Sequence, residues 1–165
     1  MHTPWLDYIM FHATDPIYWL PVYLFFLFLV IRKYRWNTLW IILFIAIMIL
    51  ISDQMTNLVK ELTHRLRPSQ ESGLVVHLVN AYKGGNYGFY SAHASNNFAL
   101  ALFLIVVLGR YYRFIFIPLL LWALLMSYTR IYLGVHYPGD ILAGMVVGSV
   151  IGFMTGKICL RAITK

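Results

Sequence analysis

The sequence is poor in charged residues and has almost no cysteine. Only 12% of its 165 residues are charged, whereas 61% are apolar. A soluble domain has about 25% charged and about 45 to 50% apolar residues, so this composition excludes an ordinary soluble domain and predicts an integral membrane protein. The single Cys159 excludes an internal disulfide framework and a cysteine-ligated zinc site.

Charged residues divide the chain into five uncharged stretches. Each spanning helix needs roughly 20 mostly apolar residues, and a chain of this length leaves room for about five. The stretches are residues 16–31, 36–52, 84–109, 114–129 and 141–156. Most are shorter than a full crossing, so we expect each to extend one or two turns, the second as far as about Lys60. We therefore predict an all-α, polytopic transmembrane bundle of five spanning helices.

The N-terminal segment, residues 1–15, is apolar but too short to cross a bilayer. It lacks the basic start and the small-residue cleavage site of a signal peptide. We predict an interfacial amphipathic helix here, and six spans, with this segment crossing as well, is the alternative. No linker, low-complexity tract or repeat interrupts the chain, so residues 1–165 are expected to form a single membrane-embedded domain.

Positive charge predicts the orientation. The basic links 32–35 and 110–113 and the basic tail 157–165 fall on one side of a five-span bundle, which the positive-inside rule makes cytoplasmic. The other side still carries a basic set that breaks the rule: Lys60, Arg65, Arg67, Lys83 and Arg130. Such an exception calls for a functional explanation.

The first polar cluster ends the second span. Lys60 and Arg67 are seven residues apart, so on a continuing helix they share one face until Pro68 stops it. Two cations on one face indicate a bound anion, and ordinary snorkelling to the interface is the alternative.

The second cluster precedes the third span. Ser91 is a good N-cap, so the free first-turn amides, from Ala92 onward, and the positive end of the helix dipole form a space suited to phosphate. The glycine-rich stretch 84–88 lacks the Gly-Lys-Ser/Thr of a nucleotide P-loop. The alternative is a flexible loop before a capped helix, with His93 merely interfacial.

The third cluster opens the fifth span. Pro138 suits a first helical turn, which places His136 just before the helix and Asp140 within reach of it. A carboxylate on one imidazole nitrogen leaves the other free as a nucleophile, and a purely structural pair is the alternative. A ladder of glycines four residues apart, 144 to 156, predicts a packing surface that turns Asp140 inward.

Metal ligation by His93, His136 and Asp140 is a further alternative. It is disfavoured because Lys60 and the two arginines of these clusters already supply positive charge.

Taken together, the clusters resemble the three signature motifs of the type 2 phosphatidic acid phosphatase superfamily. The motifs are Lys, six residues, Arg-Pro; then Pro-Ser-Gly-His; then Ser-Arg, five residues, His, three residues, Asp. Here every charged position matches, and the departures are Tyr90 for Pro, Ala92 for Gly and Thr129 for Ser.

The resemblance implies a lipid phosphatase with a phosphohistidine intermediate. His136 would be the nucleophile, Asp140 its orienting partner and His93 the acid that protonates the leaving oxygen. The phosphoryl oxygens would be bound by Lys60, Arg67, Ser91, the Ala92 amide, His93 and Arg130. No metal or other cofactor is implied, and we expect no nucleic-acid partner and no obligate protein partner.

The stretches 52–54 and 127–140 look most like bacterial undecaprenyl-diphosphatase-type members of this superfamily. That likeness implies a bacterial plasma-membrane enzyme whose substrate is undecaprenyl diphosphate, and the charge pattern predicts that its site faces the periplasm or cell exterior. Phosphatases of phosphatidylglycerophosphate, phosphatidic acid and lipid A share the motifs and are the alternatives. A small transporter or a phospholipid-binding scaffold is the non-enzymatic alternative, although the polar residues lie at one end rather than at the midplane.

Two sets of residues are not among the signature residues of the motifs. Asp53 shares a helical face with Asn57 and Lys60, so Asp53 and Asn57 are expected behind the phosphate-binding residues. Asp53 is expected either to hold Lys60 or another inward cation, or to form helix–helix hydrogen bonds without a role in turnover. The outer-loop residues are expected to be solvated rather than to contact substrate: His64, Arg65, His77 and Lys83.

Overall fold

A computed structural model describes residues 3–164, and within that range the fold is all-α. The helices are α1 (Pro4–His12), α2 (Leu20–Tyr34), α3 (Thr38–Thr63), α4 (Ala92–Leu108), α5 (Phe116–Tyr132) and α6 (Pro138–Ile163). Short 3₁₀ turns occur at Pro16–Trp19, Arg35–Asn37, Pro68–Gln70 and Val79–Ala81. The described residues contain no strand, only an isolated antiparallel bridge between Leu66 and Tyr87.

Two helical segments are long and apolar enough to cross a membrane. They are α6 and the nearly continuous segment Pro16–Thr63, which comprises α2 and α3, whereas α4 and α5 are apolar but shorter. Large apolar side chains face outward on these helices, for example Leu39, Leu50, Leu121 and Val146. Such a surface is typical of a lipid-facing bundle. The exact number of spans, five or six, stays a prediction.

The centre of the bundle is the contact between α4 and α6. A Cβ added to Gly148 would lie 2.0 Å from the Ser95 carbonyl oxygen, and one added to Gly152 would lie 2.1 Å from that of Ala99. The glycine ladder therefore lets the α4 backbone approach closely, as the spacing predicts. Asp140, on the same helix, is fully buried, so the prediction that it turns inward is confirmed.

The basic links meet at one end of the bundle. The Tyr34 hydroxyl donates to the Val107 carbonyl at 2.6 Å, and the Asn37 amide donates to the Ile163 carbonyl at 3.3 Å. These bonds join the α2–α3 link to the C-terminal ends of α4 and α6. The opposite end of the bundle holds the polar clusters.

Helix α1 covers part of that polar end. The Tyr132 hydroxyl donates to Asp7 at 2.6 Å, and Leu6, Met10 and Phe11 pack against the small apolar cluster around Leu133. The predicted helix within residues 1–15 is therefore present, and it contacts the rest of the protein through its inner face. Met1 and His2 lie outside the described residues.

One boundary differs from the sequence prediction. Helix α3 ends at Thr63, because His64 adopts a left-handed conformation with φ 47°, and does not continue to Pro68. Arg67 is extended, with φ −73° and ψ 155°, as expected for a residue that precedes proline. Lys60 and Arg67 therefore do not share a continuous helical face. The Leu66–Tyr87 bridge holds the Arg67 segment beside the loop before α4 instead.

Candidate active site

His136 and Asp140 form a buried pair at the start of α6. Asp140 Oδ2 accepts from the Tyr137 amide at 3.0 Å and from His136 Nδ1 at 3.4 Å. The first bond belongs to a capping box that fixes the carboxylate in the first helical turn. The second selects the neutral tautomer whose Nε2 carries the lone pair, which is the arrangement a nitrogen nucleophile needs. His136 is only 4% exposed.

Burial keeps this imidazole neutral. It lowers the pKa of His136 from its ordinary value, and the positive charge of Arg67 acts in the same direction. The hydrogen bond to Asp140 opposes this shift without reversing it. Because only the neutral ring has a free lone pair, His136 is in its nucleophilic form at neutral pH.

Ser91 begins α4 and connects the second motif to the third. Its Oγ accepts from the Ala94 amide at 3.3 Å, so the predicted N-cap is confirmed. Its own amide donates to the Asp140 carbonyl at 3.1 Å, which holds the start of α4 against the start of α6. The Ala92 amide lies in the first turn after this cap, where helix amides have no intrahelical partner. His93, also in this turn, is exposed.

The three cations of the motifs surround this turn. Lys60, Arg67 and Arg130 all lie close enough to His93 for direct electrostatic interaction, as does His136. The three motif segments of the chain therefore come together around His93.

Arg67 and Arg130 are held by different contacts. Arg67 Nε donates to the Tyr87 carbonyl at 3.2 Å, and a Cβ at Gly84 would lie 2.6 Å from Arg67 Nη1. The loop therefore needs glycine to wrap around this guanidinium, and Gly84 has a φ of +68°. Arg130 is 4% exposed, and within residues 3–164 its buried Nε has no hydrogen-bond partner.

A polar cavity of about 390 Å³ opens beside Lys60 and Arg67. Asn57 lines it and is therefore placed beside the phosphate-binding candidates rather than behind them. The other lining residues come from the end of α3 and from the glycine-rich loop: Glu61, Gly85, Asn86 and Tyr87.

Asp53 lies deeper, between α3 and α4. Its Oδ1 accepts from the Asn96 amide at 2.8 Å, and the neighbouring Ser52 and Ser95 hydroxyls are 2.8 Å apart. Its hydrogen bond therefore joins two helices, in line with the second of the two expectations, while its charge still acts on Lys60 over a longer range. Whether Asp53 influences turnover stays a prediction.

The outer-loop residues His64, Arg65, His77 and Lys83 are exposed, in line with the expectation that they are solvated, but three of them also make defined contacts. Arg65 Nη1 lies 2.8 Å from Asp140 Oδ1, and His77 Nε2 lies 3.0 Å from Asp7 Oδ2. The His64 ring packs edge-on against Tyr87 with ring centres 4.8 Å apart. The only sequence signal for Arg65 is its membership of the outward basic set, because its partner is 75 residues away.

No group of three or more His, Cys, Asp or Glu side chains in the described residues is arranged to hold a metal ion. The positively charged groups at this end are side chains and the start of α4. Two histidines, a carboxylate and three cations thus converge at one end of a helical membrane fold, an arrangement suited to binding and transferring a phosphoryl group.

Comparison with known proteins identifies the family. The model of the PAP2 superfamily matches residues 40–163. A lipid A 4′-phosphatase of Bacteroides thetaiotaomicron is 40% identical over 159 residues, which cover 93% of this chain and 70% of that protein. The chain therefore belongs to the PAP2 superfamily, the type 2 phosphatidic acid phosphatases that its motifs resemble, and is a lipid phosphatase. The transporter and scaffold alternatives are thereby excluded.

Other relatives match over shorter lengths. A lipid A 4′-phosphatase of Porphyromonas gingivalis is 37% identical over 145 residues, 85% of this chain and 59% of that protein. An undecaprenyl-diphosphatase of Sulfolobus acidocaldarius is 35% identical over 82 residues, 46% of this chain and 35% of that protein. The chain thus spans about 70% or less of the length of these curated relatives.

The fold is also that of a solved membrane protein. The transmembrane PAP2-type phosphatidylglycerolphosphate phosphatase of Bacillus subtilis superposes with a TM-score of 0.70 at 22% identity, covering 98% of this chain and 80% of that one. At this identity the likeness concerns the fold alone.

Proposed function

We propose that this protein hydrolyses a phosphomonoester on a lipid head group through a phosphohistidine at His136. The observation that carries the proposal is the buried His136–Asp140 pair, set beside an exposed His93 and three cations. Phosphoryl transfer depends chiefly on positioning and on stabilising spread negative charge, and this arrangement supplies both.

In the first step, His136 Nε2 attacks phosphorus. The N–P bond forms and the ester P–O bond breaks. His93 takes a proton from the phosphomonoester monoanion as it binds among the cations and gives this proton to the leaving oxygen. In the second step, the now neutral His93 takes a proton from water while the water oxygen attacks phosphorus. The N–P bond then breaks, inorganic phosphate leaves with the proton that His93 took from water, and both histidines return to their starting states.

The phosphoryl oxygens are bound by Lys60, Arg67, Arg130, the Ser91 hydroxyl and the Ala92 amide. The buried Arg130 Nε, which has no hydrogen-bond partner among the described residues, supports this assignment, because an unsatisfied buried donor is costly unless a ligand completes it. Since these groups supply the positive charge, we propose that no metal ion takes part.

We propose that the leaving group is a sugar or similar polyol, as in lipid A 4′-phosphate. Both relatives with the longest matches reported above are lipid A 4′-phosphatases, so the expectation of undecaprenyl diphosphate is not supported. The polar cavity agrees with this substrate class. Amide, carboxylate and phenol groups line it next to two of the cations, and these groups hydrogen-bond hydroxyls.

The test is phosphate release by the purified protein in detergent with a chelator present. Lipid A phosphate, phosphatidylglycerophosphate, phosphatidic acid and undecaprenyl diphosphate are offered in parallel at equal concentration, and the products are identified by mass spectrometry. We expect lipid A to lose its 4′-phosphate with the highest kcat/KM. Preference for undecaprenyl diphosphate would overturn the substrate proposal, and activity that requires an added divalent ion would overturn the mechanism.

A further inference from the structure

Arg65, at one of the six unspecified positions of the first motif, contacts the carboxylate of Asp140. Its Nη1 lies 2.8 Å from Asp140 Oδ1. The guanidinium carbon also lies 4.5 Å from the ring centre of Tyr137 and 5.8 Å from that of Phe89. The Arg65 side chain is 44% exposed, whereas Asp140 is fully buried.

The backbone of Arg65 is fixed as well. Its carbonyl accepts from the Gly88 amide at 2.8 Å, next to the bridge between Leu66 and Tyr87. A Cβ at Gly88 would lie 3.3 Å from Asp140 Oδ2, so the loop passes directly over the carboxylate. The loop before α4 therefore fixes the backbone of Arg65, and the Arg65 side chain reaches Asp140 at the start of α6.

The two carboxylate oxygens of Asp140 have different partners. Oδ2 receives the Tyr137 amide and His136 Nδ1, while Oδ1 receives Arg65. A carboxylate can rotate about its bond to Cβ, and a partner on Oδ1 restricts that rotation. We propose that Arg65 is a positioning residue that holds the Asp140 carboxylate in the plane that presents Oδ2 to the nucleophilic His136.

This inference rests on the proposed role of His136 and adds a second consequence. The positive charge of Arg65 offsets part of the negative charge that Asp140 directs at the imidazole. The other groups that act on His136 are Arg67, Lys60 and His93, and they stay unchanged when Arg65 is replaced. Loss of Arg65 therefore stabilises the protonated imidazole and moves the acidic limb of the rate profile to higher pH.

The experiment uses Arg65→Gln and Arg65→Lys, with Lys83→Gln as the matched removal of a positive charge from the same outer loop. Each variant is measured with the lipid substrate and with an aryl phosphate, across pH, and its folding is checked by thermal unfolding in detergent. We expect Arg65→Gln to lower kcat about 10- to 100-fold, typical for groups that orient a reactive side chain, with little change in KM. Arg65→Lys should recover part of the loss, and Lys83→Gln should resemble the wild type.

A double-mutant cycle with Asp140→Asn tests whether the effect of Arg65 on kcat depends on Asp140. If Arg65 acts through Asp140, Arg65→Gln causes little further loss in the Asp140→Asn protein. Three results would overturn the proposal: an equal loss in both backgrounds, a rise in KM at unchanged kcat, or an acidic limb that does not move. A rise in KM at unchanged kcat would indicate that Arg65 contacts the substrate phosphate directly. Wild type that releases no phosphate from any substrate would instead overturn the proposed function.

Discussion

The two histidines of the site have unequal surroundings. His136 is almost fully buried and bonded to Asp140, whereas His93 is exposed on the first turn of α4. A buried, oriented imidazole suits nucleophilic attack, and an exposed one can exchange its proton with water. The structure therefore supports different tasks for the two rings.

Replacing each histidine by alanine should separate these tasks. His136→Ala should remove turnover of every substrate, because the group that accepts the phosphoryl is gone. His93→Ala removes the proton donor and should cost about 10²- to 10⁴-fold with a lipid substrate. An aryl phosphate has a good leaving group, so it should restore much of the activity of His93→Ala and none of that of His136→Ala in steady-state assays. Rescue of His136→Ala instead would reverse the assignment.

The pH profile follows from the lowered pKa of His136. Only the neutral ring attacks, so activity is lost as pH falls through the pKa of the folded state, which burial places below the ordinary value of about 6.5. We expect the acidic midpoint of kcat/KM for the aryl phosphate to lie below pH 6.5, after correction for the substrate's own ionisation by ³¹P NMR. A midpoint above 6.5 would show that the Asp140 hydrogen bond dominates over burial.

Sequence spacing was sufficient to predict the contact of His136 with Asp140, since both lie within four residues at a proline-started helix. It could not predict the contact of Arg65 with Asp140. That contact depends on a left-handed turn at His64 and on a bridge between two distant segments, neither of which has a local sequence signature.

At the level of secondary-structure elements, the α4–α6 contact sets the geometry of the site. The N-cap at Ser91 and the proline start of α6 were predictable because capping residues act locally. The end of α3 was not, because a non-glycine residue adopts the left-handed conformation there, four residues before the proline.

Gly148→Ala tests this contact. The added Cβ would lie 2.0 Å from a backbone oxygen of α4, so α4 and α6 have to separate. We expect a loss of about 1 to 3 kcal/mol of stability, seen as a lower Tm in detergent, together with reduced kcat. Val146→Ala on the same helix, at a position 65% exposed, is the control and should change neither quantity appreciably. Wild-type stability of Gly148→Ala would show that the helices do not approach so closely.

At the scale of the whole molecule, the two ends of the bundle carry different groups. The basic links lie at one end, as the positive-inside rule predicts for the cytoplasmic side, and the candidate active-site residues lie at the other. We propose that the site faces the periplasm or cell exterior of a bacterial plasma membrane.

Single cysteines in a Cys159→Ser background test this orientation. Ser72 is exposed at the site end, and Trp36 is 84% exposed at the other end. In intact cells, an impermeant thiol reagent should label Ser72→Cys and leave Trp36→Cys unlabelled until the membrane is opened. The reverse pattern would place the site on the cytoplasmic side.

The central claim is that His136 carries the phosphoryl group during turnover. Rapid quenching of the wild-type protein with ³²P-labelled lipid phosphate, followed by proteolysis and mass spectrometry under alkaline conditions, measures this directly. We predict an acid-labile label on the peptide that contains His136, increased in amount in His93→Ala with the aryl phosphate because hydrolysis of the intermediate is slowed, and absent in His136→Ala. Label on the peptide that contains His93, or an active enzyme that shows no label at any quench time, would contradict the account.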